Sequence, residues 1–220
     1  MTPPSATAPA PARFAAPVVC LLSFGAVAAG LFWARSSWVA MLLYHLVIAV
    51  ALAVRSGPRI DLGALRRGFS WRPALLACGA SVAAGAGFFA ALGELDPAGE
   101  LFAAFVAGRG PAPSTIIPFV LYVSTVNPVL EELYWRGNYH RRDPSASLHD
   151  FYYSLFHVPV YLCFAAPAWA LLPVVILAFA GRGWRYAANR CGGLAVPVLG
   201  HAAGNLSLMV AVGIHLHAAP

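Results

Sequence analysis

The chain contains no lysine and little charge of any kind: 10% of its 220 residues are charged, against about 25% in an ordinary soluble domain. That scarcity excludes a soluble fold. Its four cysteines, Cys20, Cys78, Cys163 and Cys191, form no Cys-x-x-Cys pair, which excludes a disulfide framework and a zinc knuckle. A basic face interleaved with aromatic residues outside the apolar runs is also missing. The net charge of +6, all from arginine, is therefore a topology signal rather than a nucleic-acid footprint, and no nucleic-acid partner is expected. No internal repeat is present.

What remains is 60% apolar, with eighteen prolines and twenty glycines sitting mostly inside long apolar stretches, where membrane helices tolerate them. The fold class implied is all-α: a polytopic membrane bundle of about seven transmembrane helices with a cytosolic N-terminus. Residues 1–12 read as a disordered tail, 13–113 as three helices with their loops, 114–214 as the core that carries the chemistry, and 215–220 as a short end. The first run, Phe14 to Ala34, is a retained span rather than a signal peptide. Runs at Ser37 to Val54 and Pro73 to Gly93 follow, then the acidic stretch Glu94, Asp96 and Glu100 and a short interfacial helix around Leu101 to Ala107.

A fourth span starts near Ser114 and runs through Glu131 and Glu132, with a loop from Asp143 to Asp150 beyond it. The stretch Phe151 to Ala180 is one long span or two short ones. Two spans place twelve arginines on the cytosolic side and two outside, whereas one span gives nine against five, so the charge asymmetry favours two. The last run is Gly193 to Ile214.

Ionisable groups inside a bilayer cost several kcal/mol, so each is a functional hypothesis. Three places qualify: Glu131, Glu132 and Arg136; His157; and His201 with Asn205. At about 1.5 Å per helical residue, all three lie roughly 10 to 15 Å from a cytosolic end, one layer deep in the membrane. Glu132 and Arg136 are four apart with the acid first, the better orientation for an ion pair. Glu131 lies about 100° round the helix and is left freer to act as a base. Pro128, just upstream, removes a backbone hydrogen bond. His201 and Asn205 share a face and can converge as oxyanion donors; Tyr153, four residues before His157, can brace its imidazole. His45 reads as a satisfied core histidine, and His140, His149, His215 and His217 as interfacial.

Three motifs in order then carry a resemblance: Glu131-Glu132-Leu133-Tyr134-Trp135-Arg136 as Glu-Glu-x-x-x-Arg, Tyr153 to His157 as Phe-x-x-x-His, and His201 to Asn205 as His-x-x-x-Asn. Over roughly residues 114–213 the chain resembles the CAAX-protease and bacteriocin-processing family of integral-membrane proteins. Tyr153 stands where that family usually has Phe, and Trp135 where Phe commonly precedes the arginine. The resemblance implies a glutamate-dependent intramembrane endopeptidase without cofactor or metal. In it, Glu131 helped by His157 activates water, and His201 and Asn205 stabilise the oxyanion. Glu132, Arg136 and Tyr153 support them.

Two other readings stay open. Glu131, His157 and His201 are a possible zinc set, although no His-Glu-x-x-His is present and a carboxamide is a poor zinc ligand. A non-catalytic bacteriocin-immunity factor or scaffold would also retain the motifs. Expected partners are the lipid bilayer and a membrane-associated protein or peptide: a prenylated tail, a bacteriocin leader or a C-terminal sorting signal. The alanine and arginine bias points to a GC-rich bacterial genome, hence the inner membrane.

Overall fold

The computed structural model describes residues 15–56, 60–95, 100–137, 148–164 and 167–218. The tail expected over residues 1–12, the arginines at 13, 59, 141 and 142, and most of the loop 143–150 lie outside them. Everything described is helix or short connection. The helices are α1 (Ala15–Ala28, continued by a π-turn Ala29–Trp33), α2 (Ser37–Ser56), α3 (Trp71–Leu95), α4 (Glu100–Arg109), α5 (Ile116–Glu132, continued by a π-turn Leu133–Gly137), α6 (Leu148–Leu155), α7 (Val158–Tyr161), α8 (Pro167–Cys191) and α9 (Ala195–Ala218).

Among the described residues, five segments are long and apolar enough to cross a membrane: Ala16–Trp33, Ser37–Val54, Trp71–Ala91, Pro113–Gly137 and Ala195–His215. Their outward faces carry Leu21, Leu22, Leu46, Leu75, Leu76, Ile117 and Leu121, all well exposed, as lipid requires. The chain is a multi-pass membrane protein. The stretch Phe151 to Ala180 does divide, but unequally. Its first part is the broken pair α6–α7, shorter than the roughly 20 residues of a span, and its second is the 25-residue α8. α6 also begins earlier than the expected loop end, so Asp150 lies in a helix.

Membrane helices associate through small residues that let backbones approach. α3 and α9 run parallel on this principle. Gly200 of α9 meets Ala77, Gly204 meets Ser81, and a side chain at Gly85 would overlap Ser207. The Ser207 hydroxyl donates to the Ser81 carbonyl at 3.3 Å. α1 and α2 pair in the same way where Gly30 abuts Ala40. The start of α9 is then fixed by the 60–70 connection, with Leu194 N–H donating to the Ala64 carbonyl at 2.9 Å and Ala195 N–H to that of Arg67 at 3.3 Å. Gly68, at φ 75°, makes the close approach to the Cys191 carbonyl possible.

One end of the bundle therefore gathers residues 62–68, Gly137 and 191–194, close to Arg66, Arg67 and Arg72. The opposite end gathers the α1–α2 turn and α4, where Ser37 donates to the Arg109 carbonyl at 2.7 Å and Arg109 to that of Leu31 at 3.1 Å. His215 is buried there rather than interfacial, its ring edge-on to Phe102.

Candidate functional site

The apolar helices enclose one layer of polar groups. Glu131 and Glu132 close α5, Arg136 sits in the π-turn that follows, and His201 lies two turns into α9, roughly 10 Å from the arginine-rich end. All four are almost wholly buried, at 1%, 0%, 2% and 3% exposure. Glu132 Oε1 accepts from Arg136 Nη1 at 2.9 Å and from His201 Nδ1 at 3.0 Å. That hydrogen bond puts a proton on Nδ1 and turns Nε2 towards Glu131, whose Oε2 lies 3.6 Å away. Glu131 Oε2 and Glu132 Oε2 have no hydrogen-bond partner.

The ion pair expected between Glu132 and Arg136 is present, and so is the separation of Glu131 from it. Arg136 is further held by aromatic faces, its guanidinium 4.0 Å from the Tyr153 ring centroid and 5.3 Å from that of Trp184. Tyr153 links the remaining expected residues. Its ring is edge-on to His157 at 5.7 Å and to His201 at 6.2 Å. His157 stands at the break between α6 and α7, its Nδ1 3.3 Å from the Ser154 carbonyl. As donor there, Nδ1 leaves Nε2 as the basic nitrogen.

Asn205 faces α5, as its spacing from His201 predicts, and donates from Nδ2 to the Val123 carbonyl at 2.8 Å. One N–H of the carboxamide ties α9 to α5; the other remains. Among the described residues, no three His, Cys, Asp or Glu side chains are grouped to hold a metal ion.

Several groups around this layer carry no motif. Trp184 of α8 stacks on His201 at 4.5 Å and 13°. Asp150 and Arg185 form a buried two-pronged ion pair between α6 and α8, at 3.0 and 2.7 Å. On α2, His45 bridges Tyr122 Oη at 2.7 Å and Asn127 Oδ1 at 2.8 Å, a satisfied core histidine as expected. Asn127 precedes Glu131 by four residues and so shares its face, a spacing that could have singled it out.

A multi-pass helical membrane protein enclosing a carboxylate–imidazole–guanidinium cluster is the class that fold and site define. Residues 113–207 match the family model for Rce1-like proteins, described as type II CAAX prenyl endopeptidases. Over this stretch, which holds α5 to the middle of α9 and every residue of the three motifs, the chain is similar to that family. No curated protein and no solved structure shows a significant match to the chain.

Proposed function

We propose that the chain is an intramembrane endopeptidase that hydrolyses a peptide bond with Glu131 as general base. The observation that carries this reading is the Glu131 carboxylate oxygen, buried, without a hydrogen-bond partner, and beside an imidazole. A buried polar atom in that state costs free energy, and it persists where a reacting group must use it.

In the scheme, water is polarised by Glu131 and by His157 Nε2. Glu131 takes one water proton as the hydroxide oxygen bonds to the substrate carbonyl carbon. The tetrahedral oxyanion receives N–H donors from His201 Nε2 and Asn205 Nδ2. Glu131 then returns the proton to the leaving nitrogen, and the C–N bond breaks to give a carboxylic acid and an amine. Because His201 Nδ1–H is already donated to Glu132, a donating Nε2 makes the ring an imidazolium. The charges then balance: two carboxylates face one guanidinium and one imidazolium.

The substrate is a membrane-associated protein or peptide with its cleavable bond near the arginine-rich, cytosolic end of the bundle, in keeping with the prenyl endopeptidase description of the family. The chain acts in a bacterial inner membrane. The test is cleavage by the protein reconstituted in liposomes, offered a farnesylated peptide with a C-terminal Cys-a-a-X tail and, separately, membranes of a strain lacking the protein. New termini are identified by mass spectrometry. Cleavage of either substrate that is lost in Glu131→Gln supports the reading. Intact substrates in both arms, with folded wild-type protein, overturn it.

A further inference from the structure

The family match and all three motifs begin after residue 112, yet two adjacent residues of α2 reach the site by separate routes. His45 fixes Asn127 through Nε2, one turn before Glu131, and is itself fixed through Nδ1 by Tyr122. Tyr44 stacks on Phe156 at 4.3 Å and 28°, and Phe156 stacks on His157 at 4.2 Å and 29°. Each of the two groups assigned to water activation thus has a backing from α2. Tyr44 and His45 are themselves buried, at 2% and 4% exposure.

The local backbone explains why such backing matters. Pro128 cannot donate to the Ser124 carbonyl, and the helix turns π from Leu133 onward. Glu131 therefore lies between two interruptions of the regular hydrogen-bond ladder, where rotation about the helix axis is least restrained. His157 likewise lies in the break between α6 and α7 rather than inside a helix. Neither carrier segment is stiff by itself.

We propose that α2 is the positioning element of the site. His45, through Asn127, sets the rotation of α5 that aims Glu131, and Tyr44, through Phe156, sets the plane of His157. His45 acts only through Asn127, whereas Tyr44 backs His157 through Phe156 and also sets its hydroxyl beside the Glu131 side chain. The proposal rests on the hydrolytic reading above, with Glu131 and His157 as its water-activating pair.

The experiment uses the full chain in liposomes with His45→Leu, His45→Gln, Tyr44→Leu and Tyr44→Phe. Gln can still donate to Asn127 and accept from Tyr122; Phe keeps the stack. Four quantities are read: kcat and KM for peptide cleavage, the melting temperature, and the infrared carboxyl band of Glu131, assigned by its loss in Glu131→Gln. A misplacement near 1 Å costs about a hundredfold in rate. The Leu variants should therefore lose about 10- to 100-fold in kcat with KM within about twofold, and His45→Leu should shift the Glu131 band. His45→Gln should recover most of the rate, and Tyr44→Phe should exceed Tyr44→Leu by the part that the ring stack carries, the remainder reading the hydroxyl beside Glu131.

Folded Leu variants with unchanged kcat and an unshifted band would overturn the proposal. So would losses that follow melting temperature alone across all four variants. If His45→Leu does not fold, the Tyr44→Leu and Tyr44→Phe pair decides by kcat. If the wild type cleaves nothing, the hydrolytic reading fails, while the Glu131 band in His45→Leu and His45→Gln still decides whether α2 positions that carboxylate.

Discussion

Replacing Glu132 by Gln should damage the fold, whereas replacing its neighbour Glu131 should damage only turnover. Glu132 Oε1 accepts two charge-assisted hydrogen bonds, from Arg136 and His201, in surroundings with 0% exposure. Removing its charge strands a guanidinium that is 2% exposed, and breaking a buried pair from one side costs about 3–5 kcal/mol. The aromatic faces of Tyr153 and Trp184 offset part of that, on the order of 1–2 kcal/mol. A net loss of about 2–3 kcal/mol remains, worth roughly 5–10 °C in melting temperature for a chain of this size. Glu131 holds no buried ion pair of that kind, with His201 3.6 Å away and the neutral Tyr44 hydroxyl beside it, so Glu131→Gln should cost at most about 1 kcal/mol while abolishing turnover. The assay is thermal unfolding of both variants in one detergent, beside cleavage rates. Equal melting temperatures, or a Glu131→Gln protein less stable than Glu132→Gln, would refute the assigned division of labour.

Gly85→Val should destabilise by about 1–3 kcal/mol, because its side chain would enter Ser207 of α9, whereas Gly79→Ala and Gly87→Ala, which face open space, should change the melting temperature little. Asp150→Asn should cost about 3–5 kcal/mol by removing the charge that Arg185 pairs with, and Asp150→Leu with Arg185→Met should recover most of it, as unfolding of the two variants will read. A topology reporter fused after Asn189 should read as cytosolic and one at Pro220 as external, the two ends of α9 lying on opposite sides.

The fold class and the grouping of the site were legible because charge in an apolar helix is rare enough to point at its partner. Glu132 with Arg136, and His201 with Asn205, each shared a face by four-residue spacing, and both faces meet as that spacing predicts. The small-residue rows Ala77, Ser81, Gly85 and Gly200, Gly204 were not read as a helix contact, which the structure alone supplies. What the sequence hid was of a different kind. Arg185 looked like a topology signal and is spent on an internal ion pair with Asp150, because an arginine near a helix end reads the same whether it faces lipid headgroups or a carboxylate. Trp184, Tyr44 and Phe156 carry no motif, since an apolar ring signals burial without signalling what it stacks on. The sequence left Phe151 to Ala180 as one span or two, and the break at His157, with Pro159 opening α7, is seen only in the structure.

The central claim is that Glu131 activates water without a metal, and cleavage by purified, metal-analysed protein with and without a strong chelator tests it most directly. Wild type, Glu131→Gln and Asn205→Ala are compared. Losing one oxyanion donor costs about 3–4 kcal/mol, or roughly a hundred- to a thousandfold in rate. The account predicts chelator-insensitive cleavage by the wild type, a trace of it in Asn205→Ala and none in Glu131→Gln. Stoichiometric zinc, reversible inhibition by the chelator and an Asn205→Ala enzyme of unchanged rate would contradict it.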